Sequence, residues 1–191
     1  MKRIVMLAGL LAIVQFGVGL ATCEAANLGG LFGRKSEAHK ARSLHRKVEA
    51  AVTRFKEEDP GIQKFFDKSV AYVVFPNVVK AGIGFGGAMG KGEVIQDGKV
   101  IGTSTMTQAT VGFQFGGQAY IEILFIDDEK TLLDFKRGSF EFGAQVSAVA
   151  LTVGASDNAT FDQGIAIFTM ERGGLMYEAT VGGQVFSFQN K

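Results

Sequence analysis

The chain has 191 residues, 47% of them hydrophobic, with 26 glycines, 17 phenylalanines and no tryptophan. A formal net charge of +1 gives no global field for nucleic acid, and a single cysteine excludes an internal disulfide framework or a cysteine-cluster metal site. With an export segment set aside, about 165 residues remain, the size of one domain.

Met1-Lys2-Arg3 is a positive start, and Ile4 to Thr22 is apolar apart from Gln15. Residues 1–25 therefore read as an export signal rather than a fold element. Leu20-Ala21-Thr22-Cys23 resembles a bacterial lipobox, in which Cys23 would be acylated after cleavage before it. Alternatively Cys23-Glu24-Ala25 offers an ordinary signal peptidase its small residues and releases a soluble protein. Both routes imply an exported protein, either periplasmic or an outer-membrane-anchored lipoprotein. Residues 26–35 are glycine-rich and read as a flexible linker, leaving 36–191 as the domain.

Ser36 can cap a helix running to about Glu58. Ala38, Ala41, Leu44, Val48, Ala51, Val52 and Phe55 recur at spacings of three and four and form an apolar stripe. Between Arg34 and Lys56 eight cations stand against two acids, Glu37 and Glu49. A core-facing helix with a solvated face accounts for the stripe. Attraction to anionic lipid head groups accounts equally well for charges of one sign, at about 1 kcal/mol per well-placed cation. The residues expected to meet head groups are Lys40, Arg46, Lys47 and Arg54, with Lys80 and Lys91 as lesser candidates.

Asp59-Pro60 opens a short helix through Lys68 that points Ile62, Phe65 and Phe66 at the core. Ser69 to Phe75 reads as a strand ended by Pro76-Asn77. Gly82-Ile83-Gly84-Phe85-Gly86-Gly87 formally satisfies G-x-G-x-x-G, but a dinucleotide site needs a helix directly behind it. The chain runs instead to Gln96-Asp97-Gly98-Lys99, a hairpin turn, and Gly90-Lys91 lacks the rest of a P-loop. Nucleotide binding is rejected on these grounds.

From Thr110 to Phe125 the residues alternate for sixteen positions. Val111, Phe113, Phe115, Gly117, Ala119, Ile121, Ile123 and Phe125 form one apolar or small face. Thr110, Gly112, Gln114, Gly116, Gln118, Tyr120, Glu122 and Leu124 form the other, mostly polar or glycine. This is the period of a strand with one buried face, with the central glycines marking a bend or bulge. Phe85-Gly86-Gly87-Ala88, Phe115-Gly116-Gly117-Gln118, Phe142-Gly143-Ala144-Gln145 and Val181-Gly182-Gly183-Gln184 repeat one word at uneven intervals, which excludes a solenoid. Their glycines fit close approach of strands in a curled sheet, or a surface against which an acyl chain lies.

Asp127 to Lys130 caps a short helix through Phe135 with Leu132 and Leu133 inward. Ser139 to Val153 reads as a strand region, Ser156-Asp157-Asn158 as a turn, Gln163 to Met170 as a strand, Glu171 to Gly174 as a turn and Met176 to Phe188 as the closing strands. His39 and His45 lie six apart on different helix faces, and no serine has a histidine or cysteine companion within the domain. No catalytic constellation and no cofactor site emerge, so the protein reads as a non-enzyme.

Ala71-Tyr72-Val73-Val74-Phe75-Pro76-Asn77-Val78, Lys80 to Gly87 and Gly90-Lys91-Gly92 resemble the SYLF domain, also called Ysc84. The resemblance continues through Gly112 to Gln118, Phe140 to Ala144 and Gly173-Gly174-Leu175, and covers roughly residues 47–188. It implies lipid binding, and for a bacterial member an exported protein. Departures at Ile101-Gly102-Thr103-Ser104-Thr105 and Ala150 to Gly154, with no attached SH3 domain, argue against the actin binding of eukaryotic members. The expectation is an α+β fold: N-terminal amphipathic helices followed by a curled, glycine-rich antiparallel β-sheet, sandwich or barrel-like. Its expected function is binding of phospholipids at a membrane surface, without nucleic acid or nucleotide as partner. The rivals are a small outer-membrane β-barrel and an envelope structural or adaptor protein.

Overall fold

The computed structural model describes residues 21–138, 141–142, 149–150 and 154–191, and side chains within these spans except those of 21–35, 141–142, 149–150, 174–175 and 177–182. Residues 1–20, most of the expected export signal, and most of the strand expected over Ser139–Val153 lie outside the described residues. Two compact units divide the chain, Met1–Lys40 and Ala41–Lys191. In the first unit the described part is the beginning of helix α1 (Ala21–Glu58), which runs through residues 26–35 where a linker was expected. A glycine in a helix interior costs only about 1 kcal/mol, so Gly29, Gly30 and Gly33 disfavour helix without forbidding it. No described helix is long and apolar enough to cross a membrane.

The second unit is α+β, as expected. After α1 come a 3-10 turn, Pro60–Ile62, and helix α2 (Gln63–Lys68). Asp59 caps the turn by accepting from the Gly61 amide at 3.1 Å, and its other oxygen accepts from the Ser156 amide at 2.8 Å. Strands β1 (Ala71–Gln96) and β2 (Lys99–Ile126) form one long hairpin, followed by α3 (Glu129–Lys136). The hairpin closes at Asp97 and Gly98, both at positive φ, as a two-residue turn matching strand twist requires. Short pieces β3 (Glu141–Phe142) and β4 (Val149–Ala150) precede the last strand, β5 (Ile165–Asn190). The sheet order is β1-β2-β5-β3, antiparallel throughout, with β4 pairing β5 in parallel. The described strands form a bent sheet with β1 at an edge and do not close into a barrel.

Two expected breaks are bulges inside continuous strands. Pro76-Asn77 shifts the register between Phe75 and Val78 without ending β1. Arg172 is the extra residue where Gly173 and Glu171 pair successive positions of β2, so the turn expected at Glu171–Gly174 is absent. The two bulges meet, for Arg172 donates to the Pro76 carbonyl at 2.9 Å and to Asn77 Oδ1 at 3.1 Å.

The sheet is buried on both faces over part of its length. On one face Ile121, Ile123 and Phe125 pack with Val48, Ala51 and Phe55 of α1, with Phe65 of α2 and with Phe168. On the other, Val73, Phe75, Leu124, Ile126 and Ile167 pack with Leu132 and Phe135 of α3 and with Phe186. Leu133, expected inward, is half exposed, because the α3 face that meets the sheet is the one carrying Leu132 and Phe135. β1 curls so tightly that a Cβ on Gly90 would lie 2.8 Å from a Val78 methyl, and one on Gly92 would collide with the Val74 carbonyl. Those glycines therefore serve the close approach of strands.

Candidate membrane-facing surface

The alternation of β2 is real, but its two registers are not a dry face and a wet face. Among the odd positions Ile121, Ile123 and Phe125 are buried, whereas Val111, Phe113 and Phe115 are exposed. The even register, expected to meet solvent, supplies buried Thr110, Gln114, Tyr120, Glu122 and Leu124. The reason is tertiary: the curled sheet encloses the even face, while α1 and α2 cover only one end of the odd one.

The bare end lies at a corner. Ile83 pairs with Phe115 and Phe85 with Val111, so Gly84 alone stands opposite Gly112, Phe113 and Gln114. Gly84 has φ +70°, a conformation that disfavours any side chain. The chain doubles back there, since a Cβ on Gly82 would lie 2.6 Å from the Gly86 Cα. Inside the corner sits Gln114. Its amide nitrogen donates to the carbonyls of Gly84 at 3.2 Å and Thr110 at 3.3 Å, and its oxygen accepts from the Thr110 hydroxyl at 2.9 Å. This side chain replaces ladder bonds interrupted by the bulge and holds the corner in one shape. Outside the corner stand Ile83 and Phe113, each 75% exposed, Phe85 at 76% and Phe115 at 63%, flanked by Val79, Met89 and Val111.

The expected head-group residues divide. Arg46, Lys47 and Arg54 are exposed on α1, without an ion-pair partner among the described residues. Lys47 and Arg54 are two turns apart on one side of the helix. In the first unit Lys40 is exposed and lies 4.0 Å from Glu37. Lys91 is exposed on β1. Lys80 is buried, because the Pro76-Asn77 bulge resets the strand phase and turns it to the enclosed side with Val78. The side chain of Cys23 lies outside the described side chains.

Two titratable groups have shifted pKa values at the sheet, one on α1 and one on β2. The His45 ring donates through Nδ1 to the buried Glu93 carboxylate at 2.8 Å, and its Nε2 lies 3.5 Å from Glu49. The hydrogen bond to Glu93 raises the His45 pKa. Glu122 is fully buried on the enclosed face; loss of solvent pushes its pKa up to about 7, against a hydrogen bond of 3.1 Å from Gln184. Its second oxygen has no hydrogen-bond partner among the described residues. Gly82–Gly87 lies within β1, which runs on to Gln96, so no helix N-terminus follows the glycine motif. Among the described residues no three His, Cys, Asp or Glu side chains gather to hold a metal.

The second unit is thus a bent antiparallel sheet with one helix-covered and one bare apolar end. Residues 107–191 match the family model Ysc84, described as Las17-binding protein actin regulator, and the match supports the resemblance to the SYLF/Ysc84 family. The matched span contains most of β2 with its bare end, α3 and β5. Ysc84 is a family of binding domains. Comparison with curated proteins gives no match.

Proposed function

We propose that this is a non-enzymatic phospholipid-binding protein of the bacterial cell envelope that meets anionic head groups through the basic helix. The observation that carries the reading is the set of exposed cations Arg46, Lys47 and Arg54, without ion-pair partners among the described residues, on a helix anchored to the sheet by Val48, Ala51 and Phe55. A cation without an ion-pair partner keeps its full attraction for an anionic surface. Lys40 and Lys91 extend the candidate set. The N-terminal sequence supports export, followed either by release or by anchoring through Cys23.

Liposome co-sedimentation tests the reading. Binding to anionic vesicles should exceed binding to neutral ones and weaken steeply with salt, because surface charges are screened within about 3 Å at 1 M. Changing Arg46, Lys47 and Arg54 to Glu should remove roughly 3 kcal/mol or more of binding, at about 1 kcal/mol per cation. Undiminished binding of that variant at low salt would remove the basic helix from the site. Actin co-pelleting provides the contrast suggested by the family description; the departures at Ile101–Thr105 and Ala150–Gly154 lead to the expectation that the chain stays in the supernatant.

A further inference from the structure

We propose that the outside of the glycine corner is a membrane-penetrating wedge, with Ile83, Phe85, Phe113 and Phe115 entering the boundary between head groups and acyl chains of an anionic bilayer. This rests on the phospholipid-surface reading and assigns its apolar part.

Four observations carry it. First, the most exposed large apolar side chains of the described surface gather on two paired strands, Val79, Ile83, Phe85 and Met89 on β1 with Val111, Phe113 and Phe115 on β2, apart from the less exposed Leu133 on α3 and Val185 on β5. An apolar patch left bare by its own fold marks a contact surface. Second, neither Ala81–Gly90 nor Gly102–Ala119, the two segments that carry the patch, contains a charged residue, which lowers the cost of entering a low-dielectric layer; on β5, Glu178 pairs with Gln114 rather than with Phe113 or Phe115. Third, the patch occupies the outside of a sharp bend and is convex, a shape that suits penetration of a deformable layer better than docking into a flat protein face. The bend is stiffened from within by Gln114, whose bonds to Gly84 and Thr110 satisfy backbone carbonyls that would otherwise be stripped of water on insertion.

Fourth, the odd face of β2 that carries Phe113 and Phe115 is the face on which α1 packs, and α1 brings exposed Arg46, Lys47 and Arg54. Lys91, two residues beyond Met89, is exposed as well. Apolar tips accompanied by unpaired cations are complementary to an anionic bilayer, which offers negative head groups above apolar chains. A second copy of this chain would bring the same sign of charge to the contact.

Because the chain contains no tryptophan, Phe113→Trp places one fluorophore at the tip with no background. On mixing with vesicles of phosphatidylglycerol and phosphatidylcholine, its emission should shift to the blue, and lipids brominated on their acyl chains should quench it. Phe85→Ser and Phe115→Ser should each weaken vesicle binding about ten-fold, the equivalent of one phenylalanine withdrawn from an apolar layer. Both positions are exposed, so circular dichroism and melting should stay unchanged. Co-sedimentation without blue shift or quenching would leave the head-group reading standing and overturn the wedge. Failure of the parent chain to co-sediment would overturn both. A blue shift that grows with protein concentration in the absence of lipid would assign the face to a second copy and overturn the wedge.

Discussion

The two ends of β2 are built from one pattern and meet opposite fates. Ile121, Ile123 and Phe125 lie beneath α1 and α2, whereas Val111, Phe113 and Phe115, in the same register, face outward. Periodicity sets which residues share a face; it does not set what covers the face. At the covered end the apolar row contributes stability. At the bare end the same chemistry stays exposed, and the glycines permit a bend that Gln114, instead of packing, holds in place.

Truncating the same residue type at each end should separate the two roles. Phe125 is fully buried, with ring centroids of Phe66 at 4.8 Å, Phe65 at 5.6 Å and Phe168 at 5.9 Å. Phe125→Ala should therefore destabilise the fold by about 3–5 kcal/mol in denaturant unfolding. Phe113→Ala, twelve residues earlier on the same face, should change stability by less than about 0.5 kcal/mol. Comparable losses from both would erase the distinction.

Glu122, on the enclosed face, gives the next largest effect. Its carboxyl titrates near 7 when folded against 4.5 as its ordinary value, so folding favours the protonated form. Stability should be highest below about pH 4.5 as far as this group is concerned, and should fall as pH rises toward 7 and beyond. Glu122→Gln removes the charge, leaves an acceptor for Gln184 and should stabilise the protein at pH 8 by roughly 3 kcal/mol, with little effect at pH 4. A variant that shifts the melting curve equally at both pH values would contradict a buried, uncompensated carboxylate.

At the corner, Gly84 has open space around it but a left-handed backbone, φ +70°. Gly84→Ala should cost about 1–2 kcal/mol through the backbone alone, measured by chemical denaturation. The His45–Glu93 contact should matter least. The His45 pKa is raised when folded, so the stabilisation is present below its ordinary value of 6.5 and is lost as pH rises through the folded value. With the imidazole half exposed, His45→Gln should destabilise by about 1 kcal/mol near pH 6, and the gap from the parent should narrow toward pH 8.

What could be read from the sequence was local. The Asp97-Gly98 turn and the caps at Asp59 and Asp128 follow from side-chain chemistry within a few residues, and each is found as expected. The exposure of Arg46, Lys47 and Arg54 follows from the phase of the α1 stripe. Bulges were not legible, because Pro76 and Arg172 read locally as breaks and only strand pairing turns them into insertions. Burial of Lys80 is a consequence of the first. Nor could the sequence show that Thr110, Gln114 and Glu122 would be enclosed, since enclosure depends on the sheet curling over its even face. The glycines flanking Gln114 were a signal of the bend, without indicating which side would remain bare.

Amide hydrogen exchange with and without anionic vesicles compares the two ends in one measurement. Slowed exchange on vesicle binding should appear across 83–89 and 110–116, together with 46–54 of α1, while 121–126 stays unchanged. Protection confined to α1, with the corner exchanging as fast as in solution, would contradict the account.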